Sequence, residues 1–342
     1  MKRRILKAIS LICTCVMLLT LAACGEESQD NTGKYIVFKF GNDNIYLDEV
    51  YIYAQTTIDE YEKEYGNDIW GKTIETDGGI EEMARREVIS NIVQTKALIA
   101  QADEYKISLT AEEQAQAEQE AEDFYNSLTD EQLKETGMEA DTPSRVLQEN
   151  ALAKKIYDHV MSDSSAEVSD EQARMTTFYD MFFECYYEDD FGNIVVYSKD
   201  KIAEQKQKAD EAYTSIKQQL SDNPNLNITF LGHTNNLQYA GSHTMSKDQI
   251  LESYGQEVLD TLYDMQDGDI SQVIETENGY HIFQMTYLTD EKATATNKAE
   301  LTKEANDAYF NNLLTNWVSK IDKDYTYSKS VNTDVYSMIT FN

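Results

Sequence analysis

The stretch from Gly268 to Met285 constrains this chain more than any other. It reads Gly-Asp-Ile-Ser-Gln-Val-Ile-Glu-Thr-Glu-Asn-Gly-Tyr-His-Ile-Phe-Gln-Met. Ile270, Val273 and Ile274 form one apolar group. Asn278-Gly279 is a turn signal, because both residues tolerate positive φ. Beyond it Tyr280, Ile282 and Phe283 favour extended backbone, with His281 set among them. The stretch predicts two short strands around a turn, with a histidine on the second.

A different signal opens the chain. Lys2, Arg3, Arg4 and Lys7 surround the start of an apolar run from Ile9 to Leu21. That run is short for a spanning helix, which needs about 20 apolar residues. It ends in Leu21-Ala22-Ala23-Cys24-Gly25, which resembles a bacterial lipobox. The resemblance implies cleavage before Cys24 and a lipid on its sulfur. Residues 1–23 are then a lipoprotein signal peptide, and residues 24–34 the lipidated Cys and a flexible tether with almost no apolar side chains. Cys13 and Cys15 leave with the signal, so only Cys185 stays free. An intramolecular disulfide and a Cys-based metal site are both excluded. Cys185 lies in an aromatic run and is expected as a small buried hydrophobe.

At 342 residues the chain has room for about two domains of roughly 150 residues each. There are 62 acidic residues against 29 basic, a formal charge of −33. That balance argues against nucleic acid as a partner, which needs clustered Lys and Arg. His233 and His243 lie ten residues apart with no His or Cys nearby, so no metal site is expected. Motifs for serine nucleophiles, phosphate loops, zinc proteases and dinucleotides are all missing.

After the tether, Tyr35 to Phe40 predicts a strand, and Gly41 to Asn44 a turn. Asp48 can cap a helix to about Tyr65. A longer helix is expected from Ile80 to Tyr105. Thr110-Ala-Glu-Glu113 and Thr129-Asp-Glu-Gln132 are capping boxes, and Pro143 suits the first turn of a helix ending near Met161. His159 sits near that helix end, where a cation is favoured. Val168 opens a second module: an aromatic strand from Met175 to Tyr187, a turn at Asp189 to Asn193, and a helix from Ser198 to Leu220. Ser246-Lys-Asp-Gln249 caps another helix, and the pair around Gly279 closes the module. Lys292 to Asn297 reads as a polar linker, followed by a helix to Ile321.

The pair around Gly279 resembles the end of a parvulin-type (PpiC-type) peptidyl-prolyl isomerase domain, on Gly268, Ile270, Ser271, Thr276, Gly279, Tyr280, His281 and Ile282. The first region is similar to the chaperone part of PrsA/SurA-type foldases. Phe40 to Val50 and Glu104 to Glu113 carry that likeness, and Val168 to Gln172 opens the second module as a similar segment does in these foldases. The resemblance implies an α+β fold: a mostly helical SurA-like chaperone domain, with a small parvulin-like α+β domain inserted before a C-terminal helix. Its boundaries would be 35–166, 168–291 and 297–323, the C-terminal helix packing on the N-terminal domain, and then a tail over 324–342.

Carried over residue by residue, His281 takes the place of the second parvulin histidine. Met181 falls at the first, a replacement that cannot match its hydrogen bonds. Val258 falls at the apolar pocket position, and Met265 and Phe283 are apolar on the expected helix end and strand. These four are the implied substrate-binding residues. Phe230 to His233 and Tyr239 to Gly241 both remain open for the family's Gly-rich segment. The replaced histidine leaves His281 with two readings, a working group or a structural one that holds the strand pair. Prolyl isomerisation needs no metal or cofactor. The implied protein is a foldase anchored by Cys24 on the extracytoplasmic face of a bacterial membrane, with unfolded secreted chains as partners. A holdase of the same fold and a solute-binding lipoprotein are the alternatives.

Overall fold

The computed structural model describes residues 29–30, 33–72, 79–164, 167–223 and 239–341. Cys24, the expected signal peptide and the Phe230 to His233 segment lie outside them. β1 (Ile36–Phe40) and β2 (Asp43–Tyr46) pair antiparallel around Gly41-Asn42. The end of the expected tether is held there, since Tyr46 Oη donates to Asp30 Oδ2 at 2.9 Å.

Helix α1 (Leu47–Tyr65) begins without a side-chain cap. Asp48, expected as that cap, sits inside the first turn, where Thr142 Oγ1 donates to its buried carboxylate at 2.8 Å. Burial pushes the Asp48 carboxyl up, with the Thr142 hydrogen bond opposing it. The single helix expected to Tyr105 is two pieces. α2 (Gly79–Ile99) stops, and a short α3 (Ala102–Tyr105) ends on Lys106 at φ 55°. Capping boxes at Thr110 and Thr129 start α4 (Ala111–Ser127) and α5 (Asp130–Thr136). α6 (Asp141–Ser162) carries Pro143 in its first turn, where a missing N–H costs no hydrogen bond.

A charged ladder joins α1, α2 and α6. Lys96 Nζ lies 2.9 Å from Glu49 Oε1 and 2.5 Å from Glu149 Oε2. Arg145 bridges the same carboxylates at 2.8 and 3.2 Å. Glu49 Oε1 has no hydrogen bond of good geometry, so Lys96 compensates it through charge. Beside the ladder, Tyr53 Oη donates to Asn150 Oδ1 at 2.7 Å.

The second region opens with α7 (Asp170–Ala173), started by a capping box on Ser169. Then come β3 (Met175–Glu184), a ribbon of β4 (Tyr186–Glu188) and β5 (Ile194–Val196), and α8 (Lys199–Asp222). β6 (Tyr239–Ser246), α9 (Lys247–Tyr254), α10 (Gln256–Asp264), β7 (Ile274–Thr276) and β8 (Gly279–Tyr287) complete it. The sheet is antiparallel in the order β6-β3-β8-β7. Cys185 is buried as expected, and burial pushes its thiol up.

The expected linker at Lys292 to Asn297 is helical. α11 runs unbroken over Glu291–Ile321, and Asp290 Oδ1 accepts from Ala293 N at 3.0 Å to start it. Its polar first turns are an exposed helix face, while Phe310 and Trp317 are buried with Ala97, Leu98 and Ile156. Nor is the C-terminus an irregular tail. After α12 (Tyr327–Ser330) and α13 (Thr333–Tyr336), Val331, Val335, Tyr336, Ile339 and Phe341 share a core with Phe38, Val50 and Ile89. Asn332 N donates to Val37 O, and Arg85 donates to the Tyr336 and Ile339 carbonyls. The described residues form two compact units, within Met1–Ser165 plus Asn306–Asn342 and within Ala166–Ala305. Among them, no helix is long and apolar enough to cross a membrane.

Candidate functional site

The Gly268 to Met285 motif is what fixes β8. Gly268 turns at φ 90°, and its N–H donates to Met285 O at 2.8 Å. Ser271 exchanges two bonds with Phe283: its N donates to Phe283 O, and its Oγ accepts from Phe283 N, both at 2.8 Å. Gly279 starts the strand at φ 151°. A Cβ there would lie 2.2 Å from Phe183 O, so only glycine lets β8 begin against β3. Asn278 does not use the positive φ it could adopt.

Register then sorts the side chains, because residues directly opposite one another share a face. Phe182 opposes His281, Asp180 opposes Phe283, and Phe178 opposes Met285. Ile250, Val258, Leu259 and Leu262 of α9 and α10 cover this face. Met181 opposes Ile282 and Phe183 opposes Tyr280, on the face covered by Ala209 and Ile216 of α8.

His281 is 5% exposed and Asp180 6%. His281 Nδ1 lies 2.9 and 3.0 Å from the two Asp180 oxygens. An ionised carboxylate only accepts, so the ring carries its hydrogen on Nδ1 and leaves Nε2 for other partners. Tyr254 Oη donates to Asp180 Oδ2 at 3.3 Å. Burial, and then the neighbouring Asp180 charge, push the Tyr254 phenol far above its usual range. It therefore stays a donor at neutral pH. Phe182 stacks on His281 at 4.4 Å and 14°, Phe283 lies parallel at 5.4 Å, and Tyr254 meets the ring edge-on at 5.5 Å. The imidazole is thus held by one hydrogen-bonded carboxylate and three aromatic rings.

This assembly faces a cleft of about 900 Å³. Asp180, Phe182, Tyr186, His243, Tyr254 and His281 line it, with Leu251 and Glu252 of α9 and Thr276 to Asn278 of the β7–β8 turn. His243 stands on β6 opposite Phe178, with Tyr254 6.4 Å away.

The expected site residues separate. His281 lines the cleft. Met181 does not: it is 1% exposed and lies on the opposite face of the sheet. The position beside His281 belongs to Asp180, one residue earlier. Val258, Met265 and Phe283 share the correct face but are buried in its core, beneath the cleft lining. Open apolar contact comes instead from Phe182, Tyr186, Leu251 and Tyr254. Sequence reasoning missed Asp180 and Tyr254. A strand read with period two shows Phe178, Asp180 and Phe182 on one face, and an acid midway along such a strand needs a partner. Among the described residues, no group of three or more His, Cys, Asp or Glu could hold a metal ion.

Two family models match the chain: the SurA-like N-terminal domain over residues 1–125, and the PPIC-type PPIASE domain over residues 194–287. The foldase protein PrsA of Clostridium perfringens is 24% identical over 285 residues, covering 79% of this chain and 78% of that protein. That of Clostridium botulinum is 22% identical over 345 residues, covering 95% and 98%. A crystal structure of foldase protein PrsA from Streptococcus pneumoniae aligns at 14% identity with a TM-score of 0.26, covering 89% of this chain and all of that one.

Proposed function

We propose that this chain, which joins a SurA-like N-terminal domain to a PPIC-type peptidyl-prolyl isomerase domain, is an extracytoplasmic foldase that isomerises X-Pro bonds in unfolded secreted proteins. One observation carries the reading: an aromatic cleft with an imidazole fixed by Asp180 at its wall. Amide resonance raises the barrier to about 18–20 kcal/mol. Lowering it requires binding the twisted amide better than either planar form. The twisted amide has lost its resonance, so its nitrogen gains a lone pair and its carbonyl loses charge. Phe182, Tyr186, Leu251 and Tyr254 supply apolar surface for a proline ring. The Asp180 hydrogen bond and the flanking rings hold the His281 imidazole at the cleft wall, so it need not reorganise as the amide twists. No covalent step, metal or cofactor is required.

The anchor proposed for this foldase is a lipid on Cys24, which rests on the lipobox-like Leu21 to Gly25. The helical domain would hold the client while the cleft works on it. ATP is lacking outside the cell, and prolyl isomerisation there takes tens to hundreds of seconds, so such help matters. A holdase without catalysis is the second reading. It is favoured by one fact, that the partner of His281 is a carboxylate rather than a second imidazole.

The test is cis/trans exchange on an Ala-Ala-Pro peptide, followed by NMR with the full chain in neutral detergent. Acceleration that disappears in His281→Ala supports the isomerase. Acceleration by neither protein removes it and leaves the holdase.

A further inference from the structure

The cleft carries one sign of charge. Asp180 lies at its wall, Glu252 projects from α9, and Glu277 projects from the β7–β8 turn. Among the described residues, no Lys or Arg lines it. Asp180 is committed to His281 and Tyr254. Glu252 and Glu277 are exposed to solvent at the rim. Their two elements approach the cleft from different parts of the fold, so a peptide entering it passes carboxylates on more than one side. A cleft with low-dielectric walls and one sign of charge focuses its field on what enters. The aromatic lining acts in the same direction, since the faces of Tyr and Phe rings attract cations.

We infer that the cleft selects X-Pro segments with a Lys or Arg beside the proline and disfavours those with Asp or Glu there. This deepens the isomerase reading and rests on it for the identity of the cleft. It also gives the acidic surface a purpose beyond solubility. A basic unfolded segment is drawn toward the protein, and Glu252 and Glu277 then set which X-Pro bond enters. Exposed carboxylates act through water and are screened, so the discrimination is modest, on the order of tenfold between Lys and Glu at low ionic strength. It falls as salt is added.

The experiment compares three peptides, Ala-Lys-Pro, Ala-Ala-Pro and Ala-Glu-Pro, with the full chain at low and high salt. Exchange rates by NMR and binding by chemical-shift titration are recorded for each. The expected order is Lys, then Ala, then Glu in both. The Lys-to-Glu ratio should fall several-fold in the double variant Glu252→Gln, Glu277→Gln. A ratio near one in the unaltered protein, a preference for Glu, or a ratio that the double variant leaves intact overturns the inference. If no peptide is accelerated, the isomerase reading fails, and the binding order alone then decides whether the cleft selects cations. Failure of the two ideas is therefore distinguishable.

Discussion

Both units bury charged side chains, and they use them differently. In the helical unit, Glu49, Lys96, Glu149 and Arg145 compensate one another between three helices. Each carboxylate meets two cations, so the group serves to fix how the helices register. In the sheet unit, Asp180 accepts from His281 and Tyr254, but the trio lines an open cleft. Asp180 engages only Nδ1 of the imidazole. The same residue classes make a structural clamp where they tie helices together, and a candidate reactive group where they line a cleft.

The contrast can be broken from either side. The largest effect is expected from removing residues 323–342. Val331, Val335, Tyr336, Ile339 and Phe341 would leave the helical core, at about 1.5–3 kcal/mol for each buried side chain. That sum is comparable with the whole stability of a domain, about 5–15 kcal/mol. The shortened chain should lose the part of its helical circular dichroism that the helical unit contributes. Retained helicity would mean that the C-terminus is dispensable to this core.

Lys96→Met comes next. It leaves Glu49 and Glu149 with Arg145 alone and takes the cation away from the buried Glu49 Oε1, at a cost of about 3–5 kcal/mol, read from chemical denaturation. A loss under about 1 kcal/mol would mean that Arg145 alone carries the ladder. In the sheet unit, Gly279→Ala forces a Cβ to within 2.2 Å of Phe183 O. Overpacking of this kind costs roughly 3 kcal/mol, and faster amide exchange along β3 and β8 should report it. The smallest effect is expected on the ribbon. Phe191 is 89% exposed, so Phe191→Ser should stay within about 0.5 kcal/mol of the parent.

The motif around Gly279 made the sheet unit legible, because its residues serve the backbone directly. Gly268 and Gly279 take positive φ, and Ser271 bonds to β8. Capping boxes made the helix starts legible at Thr110, Thr129 and Ser246. Composition misled where a polar run was an exposed helix face, as at Lys292 to Asn297, and where short helices hid a buried C-terminus. The site was half legible. His281 sits in the motif, but its partner depends on strand register, in which one residue decides the face. That single step separates Met181, which packs under α8, from Asp180, which holds the histidine.

Whether the Asp180–His281 pair serves catalysis, and not client holding, is decided by Asp180→Asn, which keeps the size of the side chain and removes its charge. In the full chain, prolyl exchange and suppression of aggregation of an unfolded secreted protein should be measured side by side, with amide exchange of β3 and β8 as the folding control. A catalytic pair requires that prolyl exchange slow roughly tenfold to a hundredfold while aggregation suppression is unchanged. Unchanged prolyl exchange, or a parallel loss of both activities in a folded variant, would contradict it.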